Sequence, residues 1–120
     1  MVVLADEVYQ ENIYKRGAEF VSFRKVLNDL APEIRDNVEL ASFHSCSKGF
    51  LGECGIRGGY MELTNFDEDV KEELVKSQSI SLCSNTMGQL MMDLKINPPS
   101  KKMGESDQTI ETYHTQVENL

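Results

Sequence analysis

The sequence has no tryptophan, only three prolines and three cysteines, and no apolar run near the roughly 18 residues that a membrane-spanning helix needs. Its opening run, Met1-Val2-Val3-Leu4-Ala5, is interrupted by Asp6 and Glu7, which leaves it too short for a signal peptide. Cys46, Cys54 and Cys83 form no C-x-x-C pair and leave one odd thiol, a pattern that fits a reducing compartment better than a disulfide framework and gives no support to zinc. Basic residues are scarce as well. Twelve stand against twenty acidic ones, for a net charge of −8 and a pI near 4.7, a balance that repels phosphate backbones and anionic lipid surfaces and excludes nucleic acid and membrane as expected partners. What is present, 120 residues with 40% hydrophobic side chains, is enough for one soluble globular domain at most. The first residues supply no lead-in or cap before a functional-looking acid, so the chain is expected to be cut from something longer.

Val2-Val3-Leu4-Ala5 is a β-branched run suited to a strand buried on both faces, ending at Asp6-Glu7, where strand ends carry ligands. Phe20, Phe23, Val26, Leu27 and Leu30 recur at helical spacing and predict a crossover helix that stops at Ala31-Pro32-Glu33. Val38, Leu40 and Phe43 predict a second strand leading into a glycine-rich loop from Gly49 to Gly59, which completes a βαβ unit. Tyr60-Met61-Glu62-Leu63 predicts a third strand, antiparallel because the connection is short. The expected architecture is therefore α/β, with two parallel strands, one antiparallel strand and flanking helices. A helix capped by Asn65 or Asp67 should turn Val70, Leu74 and Val75 inward and expose the acids Asp67, Glu68 and Asp69. Another should run from Thr86 to Ile96 and stop before Asn97-Pro98-Pro99. Residues 100–108 read as an exposed loop leading into a final helix, Thr109 to Leu120, with a narrow stripe of Ile110, Tyr113 and Val117. So few strands make an incomplete layer with an unpaired edge.

Lys48, between Ser47 and Gly49, is a weak signal alone, because most lysines flanked by small residues are loop charges. It gains weight from its place in an ordered set: Asp6-Glu7-Val8-Tyr9, then Ser45-Cys46-Ser47-Lys48-Gly49, then Arg57-Gly58-Gly59-Tyr60. Two other readings are weaker. His44 and Cys46 suggest a thiol protease, but no acid or amide is placed to orient the histidine. The spaced glycines suggest a nucleotide loop, yet neither a Gly-Lys-Ser/Thr ending nor G-x-G-x-x-G is present.

Together the three pieces resemble the fold-type I pyridoxal-phosphate aminotransferases. Leu4-Ala5-Asp6-Glu7-Val8-Tyr9-Gln10, Gly52-Glu53-Cys54-Gly55 and Arg57-Gly58-Gly59-Tyr60-Met61-Glu62 look like the alanine aminotransferase branch, and the resemblance extends to about Ser106. It implies pyridoxal 5'-phosphate as cofactor and an exchange between an amino acid and a 2-oxo acid, alanine and 2-oxoglutarate giving pyruvate and glutamate. Lys48 is then the Schiff-base lysine and carries the substrate proton. Asp6 pairs with the cofactor's pyridine nitrogen, and Tyr9 hydrogen-bonds its ring oxygen. Ser45 and Arg57 hold the phosphate, with Ser47 as a second hydroxyl. Without the resemblance, Asp6 reads as a strand-end acid or cap, Tyr9 as a core ring, Ser45 as a turn cap and Arg57 as a loop charge.

The same resemblance implies a much longer homodimeric enzyme. Residues 1–120 become the C-terminal part of a large cofactor-binding domain, lacking an upstream phosphate cup and stacking ring and a downstream arginine for the substrate carboxylate. Turnover by this stretch alone is not expected. The compartment expected is cytoplasmic, or mitochondrial should a targeting segment precede Met1. One alternative is a fold-type I enzyme acting on a different amino acid. The other is a non-catalytic interaction fragment whose open sheet edge pairs with another copy.

Overall fold

The computed structural model describes residues 1–49 and 52–98. Strand β2, Glu39–Ser45, is central, with β1, Val2–Asp6, parallel to it on one side and β3, Gly59–Thr64, antiparallel on the other. This is the mixed sheet that the sequence predicts. β2 reads Leu-Ala-Ser-Phe-His over its middle, and Leu40, Ala41, Ser42 and His44 are all buried, as suits a strand paired along both edges.

The crossover from β1 to β2 carries two helices rather than one. Helix α1, Phe23–Asp29, begins later than the apolar spacing predicts, because Ser22 caps it by accepting from Lys25 N at 3.1 Å. Glu7, buried just past β1, accepts from Phe23 N at 2.8 Å and so ties the start of α1 to the end of the strand. Pro32 ends α1 and also opens a short helix α2, Pro32–Arg35, where its missing N–H costs nothing. Leu27 of α1 packs with Ala5, Val38 and Leu40, and Val3 closes on them. Arg24 of α1 forms an ion pair with Glu62 of β3. Opposite this small core, β1 is bare: Leu4 is 70% exposed against 2% for its neighbour Ala5.

After β3, Asn65 does not cap a helix. It takes a left-handed backbone, φ 62°, and donates from its amide to the carbonyls of Arg35 and Val38 at 2.8 and 2.9 Å, closing the far end of the sheet. Helix α3, Glu68–Gln78, starts at Asp67. The expected inward face is not formed. None of its residues is buried, and Val70 and Val75 are exposed. A single 3-10 turn follows, Ser79–Ser81. Helix α4, Thr86–Ile96, has the expected bounds, and Asn85 caps it by accepting from Met87 N at 2.9 Å. The expected loop over 100–108 and helix over 109–120 lie outside the described residues.

α4 lies against the sheet through two glycines. A Cβ on Gly88 would stand 2.5 Å from Arg57 O, and one on Gly58 would stand 2.6 Å from Gly88 O, so backbone meets backbone with no room for side chains. Gly88→Ala is therefore expected to lower stability by about 1–3 kcal/mol through overpacking. Met87→Ala, one residue earlier and exposed, should stay within about 0.5 kcal/mol. Urea midpoints of the two variants check the difference.

Candidate functional site

Because β1 and β2 are parallel, their carboxyl ends open on the same rim. Asp6 is in register with Phe43, and the ladder runs one step further through Glu7 N to Phe43 O at 3.1 Å. Beyond Ser45 the chain turns. Ser45 Oγ accepts from Ser47 N at 3.1 Å and donates to Gly58 O at 3.3 Å, which folds the turn back over the end of β2. Gly49 completes it with φ 78°, a conformation that favours glycine. The result is a cleft of about 320 Å³ bordered by Asp6, Phe43, His44, Ser45, Ser47 and Lys48. Lys48 is exposed at its edge. Of the residues singled out from sequence, Asp6, Ser45 and Lys48 thus meet at one place.

Arg57 reaches the same turn from the other side. Its Nη1 donates to Ser47 Oγ at 3.2 Å and to Cys54 O at 2.8 Å, so the guanidinium leans on a hydroxyl that borders the cleft. The backbone of Arg57 is left-handed, φ 59°, at a cost of about 1–2 kcal/mol for a residue with a Cβ. The surroundings fix it there. Cys46 N donates to Gly58 O at 3.0 Å, and Gly58 N donates to the buried Cys46 Sγ at 3.0 Å. Tyr9 is placed differently: it sits in the turn after β1, where its carbonyl accepts from Asn12 N at 3.1 Å, and its ring is exposed and borders no part of the cleft.

His44 borders the cleft on β2 and is buried, yet its Nδ1 has no hydrogen-bond partner among the described residues. Its ring stands edge-on to Tyr60, centroids 5.7 Å apart. Burial holds its pKa below the usual imidazole value, and the Lys95 charge pushes the same way, against Glu11, Glu7 and Asp6. From sequence alone His44 reads only as a protease base. Neither Cys46 as a structural acceptor nor Lys95, whose contact with the Lys48 turn spans 47 residues of chain, is visible there. Only the orphaned Nδ1 and the long-range contacts reveal them, and no local pattern carries either.

No family model matches the chain. Curated proteins do. The chain is 57% identical over 99 residues, 82% of its length, to "Alanine aminotransferase 2-like" of Danio rerio, of which this is 18%. It is 46% identical over all 120 residues to "Alanine aminotransferase 2" of Xenopus laevis, covering 22% of that protein. It is 56% identical over 100 residues, 82% of this chain and 18% of the other, to "Probable alanine aminotransferase, mitochondrial" of Dictyostelium discoideum. Similarity of this extent places the chain among the aminotransferases. It belongs to the alanine aminotransferase family, and spans about a fifth of the length of the curated relatives it matches. Among the described residues no helix is long and apolar enough to cross a membrane, and no cluster of His, Cys, Asp and Glu could hold a metal.

The depressed His44 pKa has a sign. The folded state prefers the neutral ring, so the unfolded chain, titrating near 6.5, binds more protons just below that pH. Stability from this group is whole above pH 6.5 or so and is lost as pH falls through the lower folded value. Urea midpoints measured from pH 7 to pH 5 should drop more steeply for the natural protein than for His44→Phe.

Proposed function

We propose that the chain is part of a pyridoxal 5'-phosphate-dependent alanine aminotransferase, exchanging amino groups between alanine and 2-oxoglutarate to give pyruvate and glutamate. The observation that carries this reading is the meeting of Asp6, Ser45 and Lys48 on one cleft at the carboxyl ends of two parallel strands, in a chain of that family. A carboxylate, two hydroxyls and an amine border the cleft, with a guanidinium bonded to one hydroxyl. This donor set fits a phosphorylated pyridine aldehyde, which calls for a cation and hydroxyls at its phosphate, an acid at its ring nitrogen and an amine at its aldehyde.

When bound, the cofactor supplies an electron sink for a carbanion at the amino acid's α-carbon. The residues of this chain do the rest. Lys48 Nζ would hold the cofactor through its aldehyde carbon. As a free amine, Lys48 Nζ would take the proton from the substrate α-carbon as a base and deliver it as an acid to the imine carbon, the site from which the amino group is passed on. The Asp6 carboxylate keeps the ring nitrogen protonated by pairing with it. Arg57 and the hydroxyls of Ser45 and Ser47 bind the phosphate, the planar guanidinium supplying two parallel donors.

Residues 1–120 belong, in this proposal, to the C-terminal part of a large cofactor-binding domain in a homodimer. The compartment is cytoplasmic, or mitochondrial as the name of the Dictyostelium relative has it for that protein.

The test uses the full-length protein. Pyridoxal phosphate followed by borohydride should leave its reduced adduct on Lys48 by peptide mass spectrometry, and Lys48→Ala should cut pyruvate formation from alanine by about 10²–10⁴-fold or more. Arg57→Lys should weaken cofactor retention by about tenfold or more, since a charge-assisted fork is lost. An adduct spread over other lysines, or unchanged turnover in Lys48→Ala, would refute the assignment.

A further inference from the structure

Lys95 lies in the last turn of α4, two helical turns and about 10 Å beyond Gly88, on the same face. Its Nζ donates to Lys48 O at 2.8 Å and to Ser45 O at 3.5 Å. The room beside Gly49 is closed by the same nitrogen together with Glu11 Oε2 and Val8 O, which stand 2.9, 3.0 and 3.2 Å from where a Gly49 side chain would begin. Two segments far from it in sequence therefore converge on the Lys48–Gly49 backbone: the turn after β1 and the end of α4.

The direction in which Lys48 projects is set by its own backbone. Its carbonyl shares a Cα with its side chain, so anchoring that oxygen limits where the Cα–Cβ bond can point. A second anchor on Ser45 O spans the turn and restrains its rotation as a unit. The anchor is itself anchored, because α4 touches Arg57 and Gly58 backbone to backbone at Gly88. One helix face thus fixes both ends of the connection that carries Lys48 and Arg57.

We infer that Lys95 is a positioning residue for Lys48, its side-chain nitrogen clamping the carbonyls of Ser45 and Lys48 so that the amine is presented to the cleft at a set distance from Arg57. The inference rests on the role proposed above for Lys48. Lys95 touches no reacting atom. It acts through the turn.

The experiment compares the natural full-length protein with Lys95→Met, which keeps the length and loses the donors, and Lys95→Arg, which restores donors. In cofactor-free protein, amide hydrogen exchange of the peptide spanning residues 46–49 should rise at least about fivefold in Lys95→Met and return toward the natural rate in Lys95→Arg, since a local anchor has been removed and replaced. In loaded enzyme, kcat for alanine should fall about tenfold or more in Lys95→Met with KM little changed, and Lys95→Arg should recover it, as misplacement of a catalytic amine predicts. Where Lys95→Met does not fold, Lys95→Leu, which also lacks a donor, takes its place. Borohydride trapping in the natural protein separates the two readings. A label on another lysine sinks the role of Lys48, while exchange in cofactor-free protein still judges the clamp. A label on Lys48 with natural exchange in Lys95→Met overturns the clamp, and so does lost turnover with unchanged exchange.

Discussion

Strand β2 is hydrogen-bonded along both edges, and the location of each candidate group follows from that double pairing. Parallel pairing with β1 brings Asp6 level with Phe43, beside the residues that lead into the Lys48 turn. Antiparallel pairing with β3 brings the chain back so that Gly58 meets Cys46, which brings the Arg57 guanidinium within reach of Ser47 Oγ. A shift of one residue on either edge would turn Asp6, or the residues leading to Arg57, to the opposite face. Register is held at both ends. Asn65 ties the start of β2 to the end of β3, and Cys46 extends the ladder past Ser45 with both its amide and its sulfur. A buried free thiol serves here as a hydrogen-bond acceptor in the backbone lattice, a duty close to its packing role as a small apolar group.

Helix α4 adds what the sheet cannot. The sheet sets which strand ends are neighbours, but the connection between them is irregular and needs an outside support. Gly88 allows the helix to approach within backbone contact, and that approach lets Lys95 reach the turn two helical turns later. The same approach explains how Arg57 is held in a left-handed backbone. The carbonyl of Arg57 and the backbone of Gly58 face Gly88 directly, so the local cost is offset by packing that an ordinary extended conformation would not reach.

Much of this was legible in the sequence, and the failures have physical causes. The three strands, the antiparallel return and the bounds of α4 follow from period, β-branching, a short connection and the prolines after Asn97, all local signals. The start of α1 was misplaced because Phe20 fits the apolar spacing while Ser22, two residues on, is the better cap. Of the two cap candidates, Asn65 and Asp67, it is Asp67 that holds the N-cap position, while the left-handed backbone and two long-range bonds of Asn65 serve the sheet. The inward face assigned to α3 rested on Val70, Leu74 and Val75, and periodicity alone cannot say whether a surface exists for such a stripe to meet. At the site, Asp6, Ser45 and Lys48 were named from their order in the chain and converge in space, whereas Tyr9 borders no part of the cleft. His44 and Lys95 were legible only in three dimensions.

The described residues of the connection from Ser45 to Gly59 are restrained at three places: at its start by the Ser45 hydroxyl and Lys95, midway where Glu53 N reaches back to Cys46 O, and at its end by Gly58 against both Cys46 and Gly88. Inserting or deleting a residue between Glu53 and Arg57 would have to break one of these ties, whereas the stretch from Ile13 to Val21, exposed throughout, could lengthen at little more than the slowly growing entropy of a longer loop. Changes of length are thus absorbed more readily ahead of α1 than beside the guanidinium.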